Sequence, residues 1–158
     1  MSEMIKMIKM KKKIVYFDMD GVLVNFQSGI DQLNHVDLEL YKGNYDKVPN
    51  IFSTMKPNLD MISLWEQMVN DERYDCYILS TSPWYNATAA SDKVEWVKKH
   101  IPSAFKRVIL SHNKHLNIGD YLIDDRTANG AGKFTGELIQ YGTEKFPTAQ
   151  SIKTYLNV

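Results

Sequence analysis

Apolar positions along this chain follow two alternating rhythms. Short, mostly apolar stretches, rich in β-branched and aromatic residues, give strand signals at residues 14–17, 74–79, 107–110, 121–123 and 138–141. Each predicts a strand buried on both faces. Longer stretches between several of them repeat at helical spacing. Leu59, Ile62, Trp65, Met68 and Val69 follow Pro57, with Asn58 or Asp60 placed to cap. Val94, Val97 and Ile101 do the same, with Ser91 and Asp92 near their start and Pro102 as the stop. A last short helix is predicted over 149–156, with Ile152, Tyr155 and Leu156 facing inward. Strand alternating with helix predicts an α/β fold with a doubly wound, mostly parallel, Rossmann-like sheet and helices on both faces. There is no internal repeat and no low-complexity segment.

The alternation breaks once. Residues 24–73 are too many for a plain crossover. Within them 27–41 reads as helix, with Ile30, Leu33 and the apolar positions of 36–40 on its face, 43–49 reads as loop, and Ile51-Phe52 is an apolar pair. The pattern predicts one domain over 1–158 with a small helical cap, residues 26–56, inserted after the first strand and set over the carboxyl end of the sheet. The alternative is an insertion that never meets a ligand; its place directly after the first acidic pair favours the cap.

That pair stands at Asp18-Met19-Asp20-Gly21, where the first apolar run stops. Two carboxylates at the end of a buried strand are unfavourable unless something neutralises them, and Gly21 lets the backbone turn there. The arrangement suits a hard cation with oxygen ligands, Mg²⁺, at the strand end where open α/β sheets bind ligands. A plain surface turn is the alternative. A second pair, Asp124-Asp125, ends the run at 121–123 in the same way. Two such pairs on one parallel sheet place four carboxylates at one edge, which cannot all stay ionised without a cation. Lys114, ten positions before Asp124, adds positive charge. Ser80-Thr81-Ser82 closes another strand with three hydroxyls, able to hold phosphate oxygens or simply to form a turn.

Other chemistries are excluded or unsupported. His35, His100, His112 and His115 lack zinc-ligand spacing. No Gly-x-Ser-x-Gly elbow and no Gly-rich phosphate loop ending in Lys-Ser/Thr occurs. The formal net charge of zero gives no field toward a nucleic-acid polymer or a membrane. The one basic cluster, Lys9, Lys11, Lys12 and Lys13, lacks interleaved aromatics and reads as solvation of the first strand. Cys76 is the sole cysteine, so there is no disulfide framework; it reads as a small core residue. Residues 1–10 resemble neither a signal peptide nor an anchor, and a cytoplasmic location is expected.

In order, Asp18-Met19-Asp20-Gly21, Thr81, Lys114 and Asp124-Asp125 resemble the four-motif set of the haloacid dehalogenase superfamily of phosphohydrolases. The stretch from Asp18 to Phe26, Thr81-Ser82-Pro83, and Lys114 followed by Asp120 to Arg126 are similar to the 5′(3′)-deoxyribonucleotidases, and Pro83-Trp84 with 91–99 resembles their bacterial and phage members. The resemblance implies a Mg²⁺-dependent phosphomonoesterase acting on (deoxy)nucleoside monophosphates. It implies Asp18 as nucleophile through an aspartyl-phosphate, and Asp20 as general acid and then base. It implies that Thr81 and Lys114 neutralise phosphate charge. Mg²⁺ would be held by Asp18, Asp20 (through its backbone carbonyl) and the second pair, Asp125 directly with Asp124 in support. Thr81, Ser82 and Lys114 would contact the substrate. Phe26, Phe52 and Trp84 are candidates for an aromatic base pocket, with ordinary packing as the even alternative. A phosphatase of sugar phosphates is the second enzyme reading, and a non-catalytic nucleotide-binding module is a third. Oligomeric state is open, with a homodimer compatible.

Overall fold

The computed structural model describes residues 2–5 and 11–158. The reading of Lys9 lies outside them. In chain order the strands are β1 (Lys13–Phe17), β2 (Val24–Asn25), β3 (Lys56–Pro57), β4 (Tyr74–Ser80), β5 (Val108–Leu110), β6 (Tyr121–Asp124) and β7 (Glu137–Gln140). The helices are α1 (Phe26–Ile30), α2 (His35–Leu40), α3 (Ile51–Thr54), α4 (Leu59–Val69), α5 (Ala89–His100) and α6 (Ala149–Leu156). Five strands make one sheet in the order β5-β4-β1-β6-β7, every neighbouring pair parallel.

Every mostly apolar stretch of the sequence forms a strand; the central strands β4, β1 and β6 are covered on both faces, whereas the edge strands β5 and β7 are mostly half-buried. Phe17, Ile78 and Ile123 are fully buried on one side of the sheet, with Met61, Leu64 and Trp65 of α4 in the same core. Tyr16, Leu79 and Leu122 pack on the other side with Ala131 and Phe134. Each large apolar side chain so buried contributes about 1.5–3 kcal/mol. The chain winds outward from β1 in both directions. The crossovers toward β4 and β5 carry α4 and α5, which pack into one core on the same face. Those leading to β6 and β7 carry only the 3₁₀ turns Lys114–Leu116 and Ala131–Lys133. The doubly wound topology therefore stands, with full α-helices on one face and short turns on the other. The winding reverses between β1 and β6, which opens a crevice at their carboxyl ends.

The insertion differs from the single helix predicted over 27–41. Asn34 accepts a hydrogen bond from the Asp37 N–H (2.8 Å) and starts a new helix, so α1 and α2 are separate. Val36 and Leu40 are 59 % and 71 % exposed, while Ile30 and Leu33 pack against the core. The predicted loop at 43–49 contains the 3₁₀ turn Tyr45–Lys47. The two ends of the insertion meet in the antiparallel β2–β3 ribbon, Val24 opposite Pro57. Beyond it Asn58 does not cap α4 with its side chain, which instead donates to the Val22 carbonyl (3.1 Å). Leu59 is exposed, and Met61 and Leu64 take the buried stripe with Trp65 and Met68.

Two further readings meet the structure directly. Tyr155 does not face inward: it is partly exposed, with its ring against Phe146 and its hydroxyl donating to Glu137. Cys76 is buried, and burial pushes its thiol up to about 12, so it is inert core. Among the described residues no helix is long and apolar enough to cross a membrane.

Candidate active site

Register brings the two acidic pairs together. Phe17 is paired with Ile123 across β1 and β6, so Asp18 and Asp124, each the next residue along, leave adjacent strands at one level. The Asp18 N–H donates to the Ile123 carbonyl (2.9 Å), which extends the pairing by one residue. Carboxylate oxygens of Asp18, Asp124 and Asp125 lie within 4.8 Å of one another. Lys114 is buried beside them, its Nζ 3.0 Å from Asp18 Oδ1 and 2.6 Å from Asp124 Oδ2. Its backbone is held by the Asn129-Gly130 turn, whose Asn129 carbonyl accepts from the Lys114 N–H (2.8 Å).

One ammonium does not balance three carboxylates. Burial drives the Asp18 carboxyl up to about 8; Lys114 opposes that rise, while Asp124 and Asp20 add to it. Burial, and then the charge of Asp124, raises Asp125. Burial disfavours the Lys114 charge, but the Asp18 and Asp124 carboxylates outweigh it and raise its pKa. Asp124 spends one oxygen on Lys114 and the other on the Arg126 N–H (3.0 Å). Asp125 Oδ1, by contrast, is buried with no hydrogen-bond partner. An orphaned buried carboxylate oxygen among crowded acids is what a hard oxygen-seeking cation would relieve. The donor set, all oxygen with no histidine or thiolate, fits Mg²⁺ rather than zinc. Gly21 has a φ of +78°, and a Cβ there would overlap Asp125 Oδ2, so only glycine lets the two segments approach.

Asp20 stands apart from this cluster. Its Oδ2 accepts from Lys93 Nζ (2.8 Å), and Lys93 also donates to Ser80 Oγ (2.8 Å). The side chain of Asp20 is thus not among the converging carboxylates, and any role on a metal is left to its backbone carbonyl. A cavity of about 620 Å³ opens over the site, with Asp20, Asp125 and Thr81 in its wall. Thr81 Oγ1 donates to the Ser111 carbonyl (2.8 Å).

The aromatic candidates divide. Phe26 and Trp84 line the cavity. Trp84 is 79 % exposed at its rim, edge-on to His112 (5.6 Å between centroids). Phe52 is buried in the core and does not line it; its ring faces the Lys93 ammonium at 4.6 Å. Ser82 is also absent from the wall, and its carbonyl is hydrogen-bonded to His112 Nε2 (2.7 Å). Residues not singled out as site candidates from the sequence also belong to the site. Tyr45 and Asp46 of the insertion and Arg126 are among those that line the cavity wall. Asn86, buried, donates to the Asp46 and Val48 carbonyls (2.8 and 2.9 Å) and so ties the insertion to the loop after β4. An Asn near a helix start reads as a cap in sequence, which hid this role.

The amino-acid sequence matches known proteins. The family described as "5' nucleotidase, deoxy (Pyrimidine), cytosolic type C protein" matches residues 35–146. A protein of Vibrio phage KVP40 named putative 5'(3')-deoxyribonucleotidase is 53 % identical over 149 residues, covering 94 % of this chain and 86 % of the relative. The human cytosolic-type 5'(3')-deoxyribonucleotidase is 30 % identical over 141 residues, 71 % of this chain and 70 % of its own. The mouse mitochondrial 5'(3')-deoxyribonucleotidase is 28 % identical over 142 residues, 71 % of this chain and 64 % of its own. Three carboxylates, those of Asp18, Asp124 and Asp125, around a buried lysine at the carboxyl edge of a parallel sheet, together with these matches, place the chain in the 5′(3′)-deoxyribonucleotidase family of phosphoric monoester hydrolases, with a haloacid dehalogenase-like fold.

Proposed function

We propose that this chain removes phosphate from deoxynucleoside monophosphates through a phosphorylated Asp18. The observation that carries the reading is the buried Asp18 carboxylate, 3.0 Å from Lys114 and clustered with Asp124 and with Asp125, which lines the cavity. Asp18 attacks phosphorus while Lys114 and Thr81 meet the charge that spreads over the phosphoryl oxygens. Asp20 protonates the departing sugar oxygen, and then takes a proton from the water that hydrolyses the acyl phosphate. Asp18 and Asp125, with Asp124 in support and the Asp20 carbonyl, would hold Mg²⁺, which when bound offsets the repulsion between phosphate and carboxylates.

Phe26 and Trp84 supply apolar surface for a base, and residues 26–56 serve as the cap that walls it in. The cavity has room for a small nucleotide, and a lone inert cysteine suits a cytoplasmic setting.

Gly21→Ala tests the close approach to Asp125. The strained backbone should destabilise the fold by about 1–3 kcal/mol, and the displaced carboxylate should weaken the Mg²⁺ dependence of phosphate release. A variant with unchanged melting temperature and unchanged Mg²⁺ titration would contradict that geometry. The substrate is tested by phosphate release across deoxynucleotides, ribonucleotides and sugar phosphates, each with Mg²⁺ and with chelator. Deoxynucleoside monophosphates should lead sugar phosphates by at least about tenfold in kcat/KM, the scale of one apolar pocket contact. A leading sugar phosphate would overturn the assignment of substrate.

A further inference from the structure

Lys93 and Lys114 are the two lysines buried among the described residues. Lys114 serves the acidic cluster; Lys93 has no place in the chemistry described so far. It sits on the buried stripe of α5, with Ala89, Trp96 and Val97, and is wholly inaccessible to solvent. An apolar residue there would pack against Phe52 with no desolvation penalty, whereas a buried ammonium is tolerated only when well paired. Its partners are few and specific. Nζ lies 2.8 Å from Asp20 Oδ2 and 2.8 Å from Ser80 Oγ, with the Phe52 ring on a further side at 4.6 Å to its centroid. Asp20 Oδ1, the other oxygen of that carboxyl, is buried and has no hydrogen-bond partner.

We propose that Lys93 is a positioning residue for the proton transfer: anchored by Ser80 and backed by Phe52, it fixes Asp20 by one oxygen and leaves the other to carry the proton. The proposal rests on the phosphatase reading above. In that reaction an Asp18 oxygen bonds to phosphorus and the bond from phosphorus to the sugar oxygen breaks. The electron pair stays on the sugar oxygen, which takes the proton from Asp20 Oδ1. Without Lys93 the Asp20 carboxyl is free to turn about its terminal torsion, which has no steep wells. A misplaced acid is ineffective even when present, since about 1 Å of displacement can cost 10²-fold.

The test separates positioning of an acid from general support of the site. A nucleotide leaves as a poor, strongly basic alkoxide and needs the proton. p-Nitrophenyl phosphate leaves as a stable phenolate and does not. For Lys93→Met, kcat/KM on a deoxynucleoside 5′-monophosphate should fall roughly 10²-fold, while that on p-nitrophenyl phosphate should stay within about threefold of wild type, because only the first needs general acid help. Ser80→Ala, which removes the anchor but keeps the charge, should show the same selectivity with a smaller loss, roughly three- to tenfold on the nucleotide. Equal losses on both esters, or no loss on the nucleotide, would overturn the proposal. Should Lys93→Met not fold, as judged by its melting curve, a Ser80→Ala variant without ester selectivity overturns it alone. Wild-type protein that hydrolyses neither ester would overturn the phosphatase reading itself, and the role of Lys93 with it.

Discussion

Asp18→Asn is expected to fold like the wild type and to release phosphate more slowly by about 10⁴–10⁶-fold, the scale seen when a nucleophile is removed. The two side chains have nearly the same volume, so the packing at the end of β1 is kept. The amide oxygen can accept the Lys114 hydrogen bond that Asp18 Oδ1 now accepts, and the amide N–H₂ lies within the acidic cluster, where donors are scarce. Burial holds the Asp18 carboxyl far above its ordinary range, a sign that its charge is unfavourable in the folded protein without a cation. A neutral amide removes that burden, so the melting temperature without metal should hold or rise. Catalysis has no such substitute. An amide does not form the acyl phosphate. Mass spectrometry of protein quenched during turnover should find a phosphorylated adduct on the wild type and none on the Asp18→Asn variant. Turnover at the wild-type rate in a verified Asp18→Asn preparation would remove Asp18 from the nucleophile's role.

What the sequence discloses of this site is what the backbone dictates. An apolar run emptying into Asp18-Met19-Asp20-Gly21 is legible because a buried strand needs both faces apolar and must end at a surface. The second run, ending at Asp124, is legible for the same reason, and parallel pairing of β1 with β6 then brings the two acidic pairs to one edge. Tertiary choices were less visible. Residues 27–41 carry helical spacing throughout, but Asn34 and Asp37 form a capping contact that starts a second helix, and local side-chain bonding prevailed over periodicity. Phe52 and Trp84 are both aromatic residues near the motifs, yet one is buried under Lys93 and the other stands at the cavity rim. No local pattern separates them, because the difference lies in how α3 packs on α5.

Lys93 is the instructive case. A lysine in an amphipathic helix reads as solvated surface, and with Lys98 and Lys99 of the same helix that reading is right. The signal that could have found it is phase. Ala89, Lys93, Trp96 and Val97 fall at i, i+4, i+7 and i+8, so the charge sits in the middle of the apolar stripe. A charge in that phase is either an error of assignment or a buried partner for an acid, and here that acid is Asp20.

Mg²⁺ should raise the melting temperature of the wild type, and Asp125→Ala should abolish most of that gain together with activity. At about a hundred times its Kd a ligand specific to the folded state adds ~2.7 kcal/mol, which for a chain of this size corresponds to about 5–10 °C. Asp125 is the member of the cluster with an oxygen buried and unpartnered, so its removal takes away the ligand least committed to the protein's own hydrogen bonds. Activity should fall by about 10³-fold, equivalent to ~4 kcal/mol of charge stabilisation lost in the transition state. Without metal the variant should be as stable as the wild type or more so, since one of three crowded carboxylates is gone. The pH dependence provides an independent check. The Asp18 carboxyl binds its proton more tightly folded, to about pH 8, than unfolded, where its ordinary value is 3.8. Between those values the folded state holds more protons, so metal-free stability should fall as pH rises from about 4 to about 8, and the raised Asp125 adds to the same slope. Mg²⁺ competes with those protons and should flatten the slope. Melting curves with Mg²⁺ and with chelator, run across this range for both proteins, decide the matter. If Asp125→Ala keeps the full Mg²⁺ shift and the full rate, the two acidic pairs do not share a cation, and the common end of β1 and β6 is an ion-pair network around Lys114 and not a metal centre.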